Sequence, residues 1–187
     1  MGDLSRPAAH SLGRRALLRA GAAALFGLAL PRRTRAKLSG ARELSFYQTH
    51  SGESTRALYF ANGEYQSSGL AEIDRALRDH RNGELHPIDR RLLDLLFALA
   101  AALETREPFH VISGYRSAAT NAMLAAQSPG GVSTRSLHLR GQAIDLRLPG
   151  RPLAALQRSA LALRGGGVGY YPGPNFVHVD VGRVRRW

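Results

Sequence analysis

The stretch Leu92-Leu-Asp-Leu-Leu-Phe-Ala-Leu-Ala-Ala-Ala-Leu103 carries one charged side chain in twelve residues. A helix that is apolar on every side is a buried helix, so we expect this stretch to form the centre of the core. Pro87 lies shortly before it, and proline favours the first position of a helix. The pattern therefore predicts a helix from Pro87 to about Thr105, around which the remaining elements pack.

Shorter elements surround this helix in the sequence. Two runs of strand composition, 43–49 and 54–60, flank a turn at 50–53 and predict a β-hairpin. We expect the others, in order, as a helix from Ser68, a strand Phe109–Ile112, a helix Ser117–Gln127 with Ser117 as N-cap, a strand Gln142–Leu148, a helix Pro152–Arg164, and strands Val168–Tyr171 and Phe176–Val181. Helices and strands mixed without a β-α-β rhythm are typical of the α+β class. We predict a small, mainly antiparallel sheet with flanking helices.

Residues 1–36 have the composition of an export signal. The pair Arg14-Arg15 precedes eleven apolar residues, 20–30, and Thr34-Arg35-Ala36 then offers the small residues that a signal peptidase requires. Eleven residues are too few to cross a bilayer, which takes about 20. Paired arginines are similar to those of twin-arginine signals, so we predict a twin-arginine-type signal peptide over 1–36. The alternative is an amphipathic helix on the surface.

The composition narrows the chemistry that is open to the protein. The chain has no cysteine, which excludes disulfides, thiol catalysis and thiolate metal sites. Its 26 basic and 14 acidic residues give a charge of +12, which favours a polyanionic partner. Residues 1–36 hold seven of the arginines and one acidic residue, however, so residues 37–187 carry only +6. This lower charge leads us to predict no nucleic-acid partner. Residues 37–187 also show no internal repeat or linker, so they are predicted to form one domain.

Two segments combine His and Asp in a pattern typical of a metal site. They are Ser136-Leu-His-Leu-Arg-Gly-Gln-Ala-Ile-Asp145 and Phe176-Val-His-Val-Asp180. Asp145 lies in an otherwise apolar strand, where a carboxylate is costly unless it is paired or bound to metal. Two His and one Asp leave an open position on zinc, as in catalytic sites. The same spacing is compatible with hydrogen-bonded structural residues, or with an iron oxygenase, although the strands of a jelly roll are missing.

The segment 136–145, followed by a His on a late strand, resembles the signature of the D-Ala-D-Ala metallopeptidase group. That group also contains lysostaphin and the zinc-binding hedgehog domain. Other stretches extend the resemblance to the murein endopeptidases of Gram-negative bacteria: His50-Ser-Gly-Glu-Ser54, Ile112-Ser-Gly-Tyr-Arg-Ser117, Gly166-Gly-Val-Gly-Tyr-Tyr-Pro172, Asn175–Gly182 and Trp187. The resemblance covers nearly all of residues 37–187 and implies the α+β fold of the hedgehog and D-Ala-D-Ala peptidase domains.

By this resemblance His138, Asp145 and His178 bind one zinc ion per chain. The resemblance also implies a periplasmic metallopeptidase that hydrolyses peptide cross-links of peptidoglycan. Both D-Ala–diaminopimelate and diaminopimelate–diaminopimelate bonds occur as substrates in the family. We expect a monomer that binds peptide stems and has no membrane anchor once its signal is removed. The alternative is a peptidoglycan-binding module that keeps the zinc ion and has lost catalysis.

The chain departs from its relatives at the general base. Relatives carry Glu three residues before the last ligand or His two residues before it, where this chain has Asn175 and Phe176. Asp180 is the nearest replacement, either as the base or as a carboxylate that orients the imidazole of His178. Arg116 is expected to hold the developing oxyanion or a substrate carboxylate. Without the resemblance it would be taken for an exposed loop arginine.

Five further residues are candidates for the cleft or its support. His50 and His110 are expected in the cleft. The pair Tyr170-Tyr171 either lines a peptide groove or packs in the core as part of a strand. Ser136 either orients His138, binds substrate or caps the turn that contains His138.

Overall fold

The computed structural model describes residues 40–127 and 133–187. The predicted signal peptide, 1–36, and the loop expected at 128–131 lie outside the described residues. The elements are β1 Arg42–Gln48, β2 Ser54–Ala61, β3 Glu64–Tyr65, α1 Ser67–Ala76, α2 Arg90–Ala102, β4 Phe109–Ser113, α3 Ala118–Gln127, a 3-10 helix Leu137–Arg140, β5 Ala143–Arg147, α4 Leu153–Leu163, β6 Gly167–Tyr171, β7 Phe176–Asp180 and β8 Arg185–Arg186. None of the helices in these two ranges is long and apolar enough to cross a membrane.

The strands of the described residues form one sheet in the order β3-β2-β1-β4-β5-β7-β6-β8. Neighbouring strands are antiparallel except for the pairs β1–β4 and β6–β8. The mainly antiparallel α+β arrangement is confirmed. The expectation of a small sheet is wrong, because this sheet has eight strands. Two of them, β3 and β8, are two residues long and are too short to show a periodic pattern in the sequence.

Helix α2 lies at the centre of the core, as its apolar sequence predicts. Leu92, Leu93, Leu96 and Leu99 are completely buried. The helix begins at Arg90 and not at Pro87, because the side chain of Asp89 accepts a hydrogen bond from the N–H of Arg91 and caps the first turn. Proline at a favoured helical position was therefore a weaker signal than the capping carboxylate two residues later.

The cap at Asp89 gives a first prediction. Hydrogen bonds from the guanidinium of Arg91 are the largest cause that lowers the pKa of Asp89, to about 2. Burial acts in the opposite direction and raises this pKa. A hydrogen bond from the side chain of Gln142 lowers it further. A depressed pKa in the folded state stabilises the fold above the unfolded pKa of about 4, and this stabilisation is lost as the pH falls towards 2. Asp89→Ala is expected to lower the free energy of unfolding by about 1 kcal/mol at pH 7. We do not expect a larger effect, because Arg91 is largely exposed and solvent screens its charge.

Urea unfolding of the wild type and Asp89→Ala measures this difference. The difference between the two stabilities should stay constant from pH 7 to about 5 and shrink as the pH is lowered from about 4 towards 2. Arg140→Ala, which removes an exposed charge near the same turn, is the control and should change the stability by less than about 0.5 kcal/mol. A difference between wild type and Asp89→Ala that stays constant with pH would contradict the assignment.

The central strands carry different side chains on their two faces. Ile144 and Leu146 of β5 and Val177 and Val179 of β7 point into the core beneath the helices. Asp145 therefore points to the opposite face, and the β5–β7 register places it directly across from His178 of β7. The sheet register thus brings two of the predicted ligands together although 33 residues separate them.

Candidate metal centre

Three donor atoms converge on the open face of the sheet. The Nδ1 atom of His178 lies 2.8 Å from Oδ1 of Asp145, and Nε2 of His138 lies 3.3 Å from that same oxygen. The two ring nitrogens lie 3.2 Å apart. Among the described residues, this is the group of His, Asp and Glu side chains whose ligand atoms are close enough to share a metal ion. The structure therefore brings all three sequence-predicted ligands to one point.

The spacing of these atoms suits a four-coordinate ion. Two bonds of about 2.1 Å at a tetrahedral angle separate their donor atoms by about 3.4 Å, close to the observed 2.8–3.3 Å. Three protein donors leave the fourth position open, which is the arrangement of catalytic zinc sites. The imidazole and carboxylate donors fit the divalent metals of hydrolytic enzymes.

His138 is fixed by its backbone surroundings. The ring is completely buried, and its Nδ1–H donates to the carbonyl oxygen of Gly114 over 2.6 Å. That carbonyl can only accept, so Nδ1 carries the hydrogen and the lone pair of Nε2 faces the donor atoms of Asp145 and His178. Ser136 caps the 3-10 helix by accepting from the N–H of His138, which is one of the three roles expected for it.

The turn after His138 requires glycine. Gly141 ends the 3-10 helix with a φ of 60°, and a Cβ at this position would lie 2.5 Å from the carbonyl oxygen of Pro87. A side chain here would have to displace backbone, so only glycine lets the chain turn from His138 into strand β5. The glycine of the motif thereby permits the turn that joins His138 to the strand that carries Asp145.

His178 is held from its other nitrogen. Its Nε2–H donates to Oδ2 of Asp180 over 3.1 Å, while Nδ1 faces the ligand cluster. Asp180 is completely buried and lies against the edge of the imidazole that points away from the cluster. It is therefore not in position to take a proton from a water among the three ligand atoms. Of the two roles expected for Asp180, the geometry favours orientation of His178.

The charges of the cluster match a divalent cation. Burial raises the pKa of Asp145, but His138 and His178 outweigh this effect and hold it well below its usual range. Burial also lowers the pKa of His138, which keeps that ring neutral. Asp180 is likewise held ionised, because hydrogen bonds from His178, from two backbone N–H groups and from Arg185 lower its pKa by more than burial raises it. Burial lowers the pKa of His178, but hydrogen bonds to Asp145 and Asp180 outweigh it and raise that pKa overall, so a metal ion would bind by displacing the proton on Nδ1.

Arg116 is part of the site and not an exposed loop residue. Its side chain is 12% exposed, and Nη2 lies 3.7 Å from Oδ2 of Asp145. Its Nε is buried and has no hydrogen-bond partner among the described residues. The backbone on either side is held in place, because the N–H of Arg116 donates to the carbonyl of His138 and the N–H of Ser117 donates to the buried carboxylate of Asp79. The end of the guanidinium that lies next to Asp145 is the part of Arg116 suited to bind a substrate oxygen.

The two residues at the relatives' base positions have other roles here. Asn175 has a φ of 58° and lies in the turn before β7. Phe176 stacks on Tyr171 with ring centroids 4.6 Å apart. Neither carries a group that accepts a proton, as the sequence indicates.

The other residues that the sequence proposed for the cleft, the two tyrosines and two histidines, lie in different environments. Tyr171 lies on the ligand-bearing face, and Tyr170 packs against the core. The ring of His50 stacks on His80, while His110 packs against Tyr47. Sequence reasoning gave no role to Arg185 or to the hydrogen bonding of Trp187, although both contact the site. Their only sequence signal was that the terminal Trp187 belongs to the family pattern.

Comparison with known proteins defines the class first. The profile Peptidase_M15_2 matches residues 36–187, so the chain is a peptidase of this type, with the buried His-Asp-His cluster at its centre. The profile is described as peptidoglycan L,D-endopeptidase MepK, and the chain belongs to that family. The family resemblance read from the sequence is thereby confirmed.

Individual relatives agree with this assignment. Peptidoglycan L,D-endopeptidase MepK of Escherichia coli (strain K12) is 43% identical over 176 residues, which cover 93% of this chain and 96% of the relative. The protein of the same name from Shigella flexneri has the same identity and coverage. The probable peptidoglycan L,D-endopeptidase MepK of Haemophilus influenzae is 41% identical over 147 residues, 78% of each chain.

Proposed function

We propose that this protein is a zinc-dependent endopeptidase that hydrolyses peptide cross-links in peptidoglycan. The observation that carries the proposal is the convergence of Nε2 of His138, Oδ1 of Asp145 and Nδ1 of His178 beside the buried guanidinium of Arg116. Zinc in such a site lowers the pKa of a bound water to about 7 and polarises a carbonyl. The relatives named above are peptidoglycan endopeptidases, which supports the same activity here.

The chain's own residues supply orientation and charge. His138 and His178 are each fixed through the nitrogen that faces away from the cluster. Arg116 presents N–H groups to the space beside Asp145, where they stabilise the negative charge that develops on an amide oxygen during attack. Because Asp180 contacts the Nε2 edge of His178, which faces away from the cluster, we assign it to the orientation of that ring and not to proton transfer.

We further propose that the bond cut is of the L,D type. A 3–3 cross-link joins the carbonyl on the L-centre of one diaminopimelate to the amine on the D-centre of the next. A 4–3 cross-link joins the carbonyl of D-Ala to that amine and is a D,D bond. The relatives are named L,D-endopeptidases, which favours the diaminopimelate–diaminopimelate bond among the two that the family resemblance leaves open.

We propose the periplasm as the place of action, because the peptidoglycan of Gram-negative bacteria lies there. Residues 1–36 would be a twin-arginine-type signal peptide, and residues 37–187 the single catalytic domain. The family profile begins at residue 36, which supports this division. Removal of the leader would leave a monomer without a membrane anchor. Detection of a processed form in periplasmic extracts, lost when Arg14 and Arg15 are replaced by lysine, tests the export route.

Isolated peptidoglycan provides a direct assay of the proposed activity. The zinc-loaded protein should release cleaved cross-links, a chelator should stop the release, and added zinc should restore it. Bound zinc without any released product would instead indicate a peptidoglycan-binding module that has lost catalysis. This module is the second candidate function, because Asn175 and Phe176 stand where the relatives carry a general base.

Replacing Asp180 by asparagine distinguishes the two roles expected for this residue. Loss of an orienting carboxylate typically costs 10- to 100-fold in metal affinity or activity. We expect Asp180→Asn to weaken zinc binding by roughly this factor, because His178 loses the acceptor that fixes its ring. Zinc affinity by chelator competition, together with turnover at saturating zinc, measures both effects. Unchanged affinity with lost turnover would identify Asp180 as the base.

A further inference from the structure

The last strand of the chain borders the candidate metal centre. Strand β8 pairs in parallel with β6, with Arg185 beside Gly167. The pairing continues at Trp187, whose N–H donates to the carbonyl of Val168 and whose carbonyl accepts from the N–H of Tyr170. Because residues two apart on a strand share a face, the side chains of Arg185 and Trp187 lie on the same side of the sheet. That side is the face that carries the ligands.

Arg185 binds the carboxylate that holds His178. Its Nη2 donates to Oδ2 of Asp180 over 2.7 Å, and its Nη1 donates to Oδ1 over 3.2 Å. Nη1 also donates to the carbonyl of Arg183 over 3.0 Å, which orients the guanidinium. The pair is a two-pronged ion pair on a fully buried carboxylate, which fixes geometry as well as charge.

The donors around Asp180 determine which nitrogen of His178 carries the hydrogen. Oδ1 accepts from the N–H of Gly167, the N–H of Gly182 and Nη1 of Arg185, and Oδ2 accepts from Nη2 of Arg185. Every one of these groups can only donate, so the carboxylate is ionised and acts as an acceptor throughout. The remaining partner, Nε2 of His178, must therefore donate its hydrogen. Nδ1 is then the nitrogen that is left to bind a metal ion, and it faces Asp145 and His138.

Trp187 packs against the same ring. The ring centroids of Trp187 and His178 are 5.3 Å apart, and the guanidinium of Arg185 lies 4.8 Å from the indole. The indole Nε1–H donates to the hydroxyl of Tyr171 over 2.7 Å, which fixes the plane of the indole. His178 is thus held at one edge through Asp180 and on its side by the indole.

Two glycines of β6 leave the space that these side chains occupy. A Cβ at Gly167 would lie 2.5 Å from Nη1 of Arg185 and 2.5 Å from Oδ2 of Asp180. A Cβ at Gly169, the residue paired with His178, would lie 2.7 Å from Cε2 of Trp187. Any larger residue would force these groups to move. This accounts for the Gly-Val-Gly pattern at 167–169 that precedes the two tyrosines.

We propose that Arg185 and Trp187 are positioning residues of the metal centre. Arg185 holds Asp180 so that Nε2 of His178 donates and Nδ1 faces the ligand cluster, and Trp187 packs the ring in that orientation. The inference rests on one part of the function proposed above, namely that a metal ion binds at this cluster. It makes the C-terminal strand part of the metal site.

The test compares two arginines of the same strand in the full-length chain. Arg185→Met removes the contact with Asp180, and Arg186→Met removes an equal charge from the exposed side of β8. Zinc affinity measured by competition with a chelating indicator should fall 10- to 100-fold in Arg185→Met and change less than twofold in Arg186→Met. Arg185→Lys keeps the charge without the two-pronged contact and should show a smaller loss.

A second readout does not depend on activity. Proton NMR of the zinc-saturated protein detects the Nε2–H of His178, and the rate at which this hydrogen exchanges with water reports how firmly Asp180 holds it. The exchange should be slow in the wild type and in Arg186→Met and faster in Arg185→Met. Gly169→Ala, whose Cβ would have Trp187 and Tyr171 as its nearest neighbours, should weaken zinc binding while the exchange stays slow.

The outcomes separate this inference from the proposed function. Wild-type zinc affinity and wild-type exchange of the Nε2–H in Arg185→Met would overturn the role of Arg185. Wild-type zinc affinity in Gly169→Ala would overturn the role of Trp187. If Arg185→Met does not fold, the same two measurements on Arg185→Lys decide, and wild-type values there overturn the role of Arg185. A wild-type protein that binds zinc and cleaves nothing would contradict the proposed function alone.

Discussion

Replacing His138 by alanine is expected to abolish both metal binding and hydrolysis. The ring is completely buried and supplies one of three donor atoms. Its removal therefore leaves two protein donors and a cavity where the ring was. The loss of zinc affinity should exceed the roughly 100-fold that removal of an orienting partner costs. Metal content of the purified variant and the release of cleaved peptides from peptidoglycan measure the two effects.

His110→Ala is the matched control for metal content. His110 lies on β4, where its ring packs against Tyr47 and its partner on β5 is Arg147, two residues beyond Asp145. This variant should retain one zinc ion per chain. A His138→Ala protein that folds, holds zinc and still cleaves would contradict the ligand assignment.

Replacing Arg116 by methionine is expected to lower kcat by about 10²- to 10³-fold while zinc stays bound. Loss of one group that stabilises a developing oxyanion has an effect of this size. Methionine fills much of the same buried space without a charge, so the expected effect falls on the reaction and not on the fold. Single-turnover hydrolysis and metal content measure the two quantities separately.

Arg140→Met serves as the control for the loss of a positive charge. Arg140 is exposed on the 3-10 helix that carries His138, and its replacement should leave kcat within about twofold. Unchanged kcat in Arg116→Met would exclude a role in stabilising the oxyanion. Loss of zinc from Arg116→Met would show instead that Arg116 supports the ligand Asp145.

Local sequence patterns predicted the elements well and their limits less well. The apolar stretch 92–103 predicted the central helix because burial on every side excludes polar residues. Its start at Arg90 depends on the capping side chain of Asp89, which competed with the signal from Pro87. The parallel pairing of β1 with β4 joins strands 60 residues apart along the chain, and a strand's own sequence does not specify its partner.

The candidate site was likewise predictable from the sequence only in part. His138, Asp145 and His178 could be found because the motif spacing and the polar residues in apolar strands are visible in the sequence. The role of Asp180 depends on which nitrogen of His178 it contacts, and both alternatives have the same spacing. Arg185 reaches the site through a two-residue strand paired with β6, and no pattern in the sequence indicates such a short pairing.

Hydrolysis of defined cross-linked dimers tests the central claim most directly. The zinc-loaded protein is incubated with one dimer that contains a diaminopimelate–diaminopimelate 3–3 bond and one that contains a D-Ala–diaminopimelate 4–3 bond, and the products are identified by mass spectrometry. We expect zinc-dependent cleavage of the 3–3 dimer into two monomers, faster than that of the 4–3 dimer. An intact 3–3 dimer in the presence of protein that holds one zinc ion per chain would contradict the account.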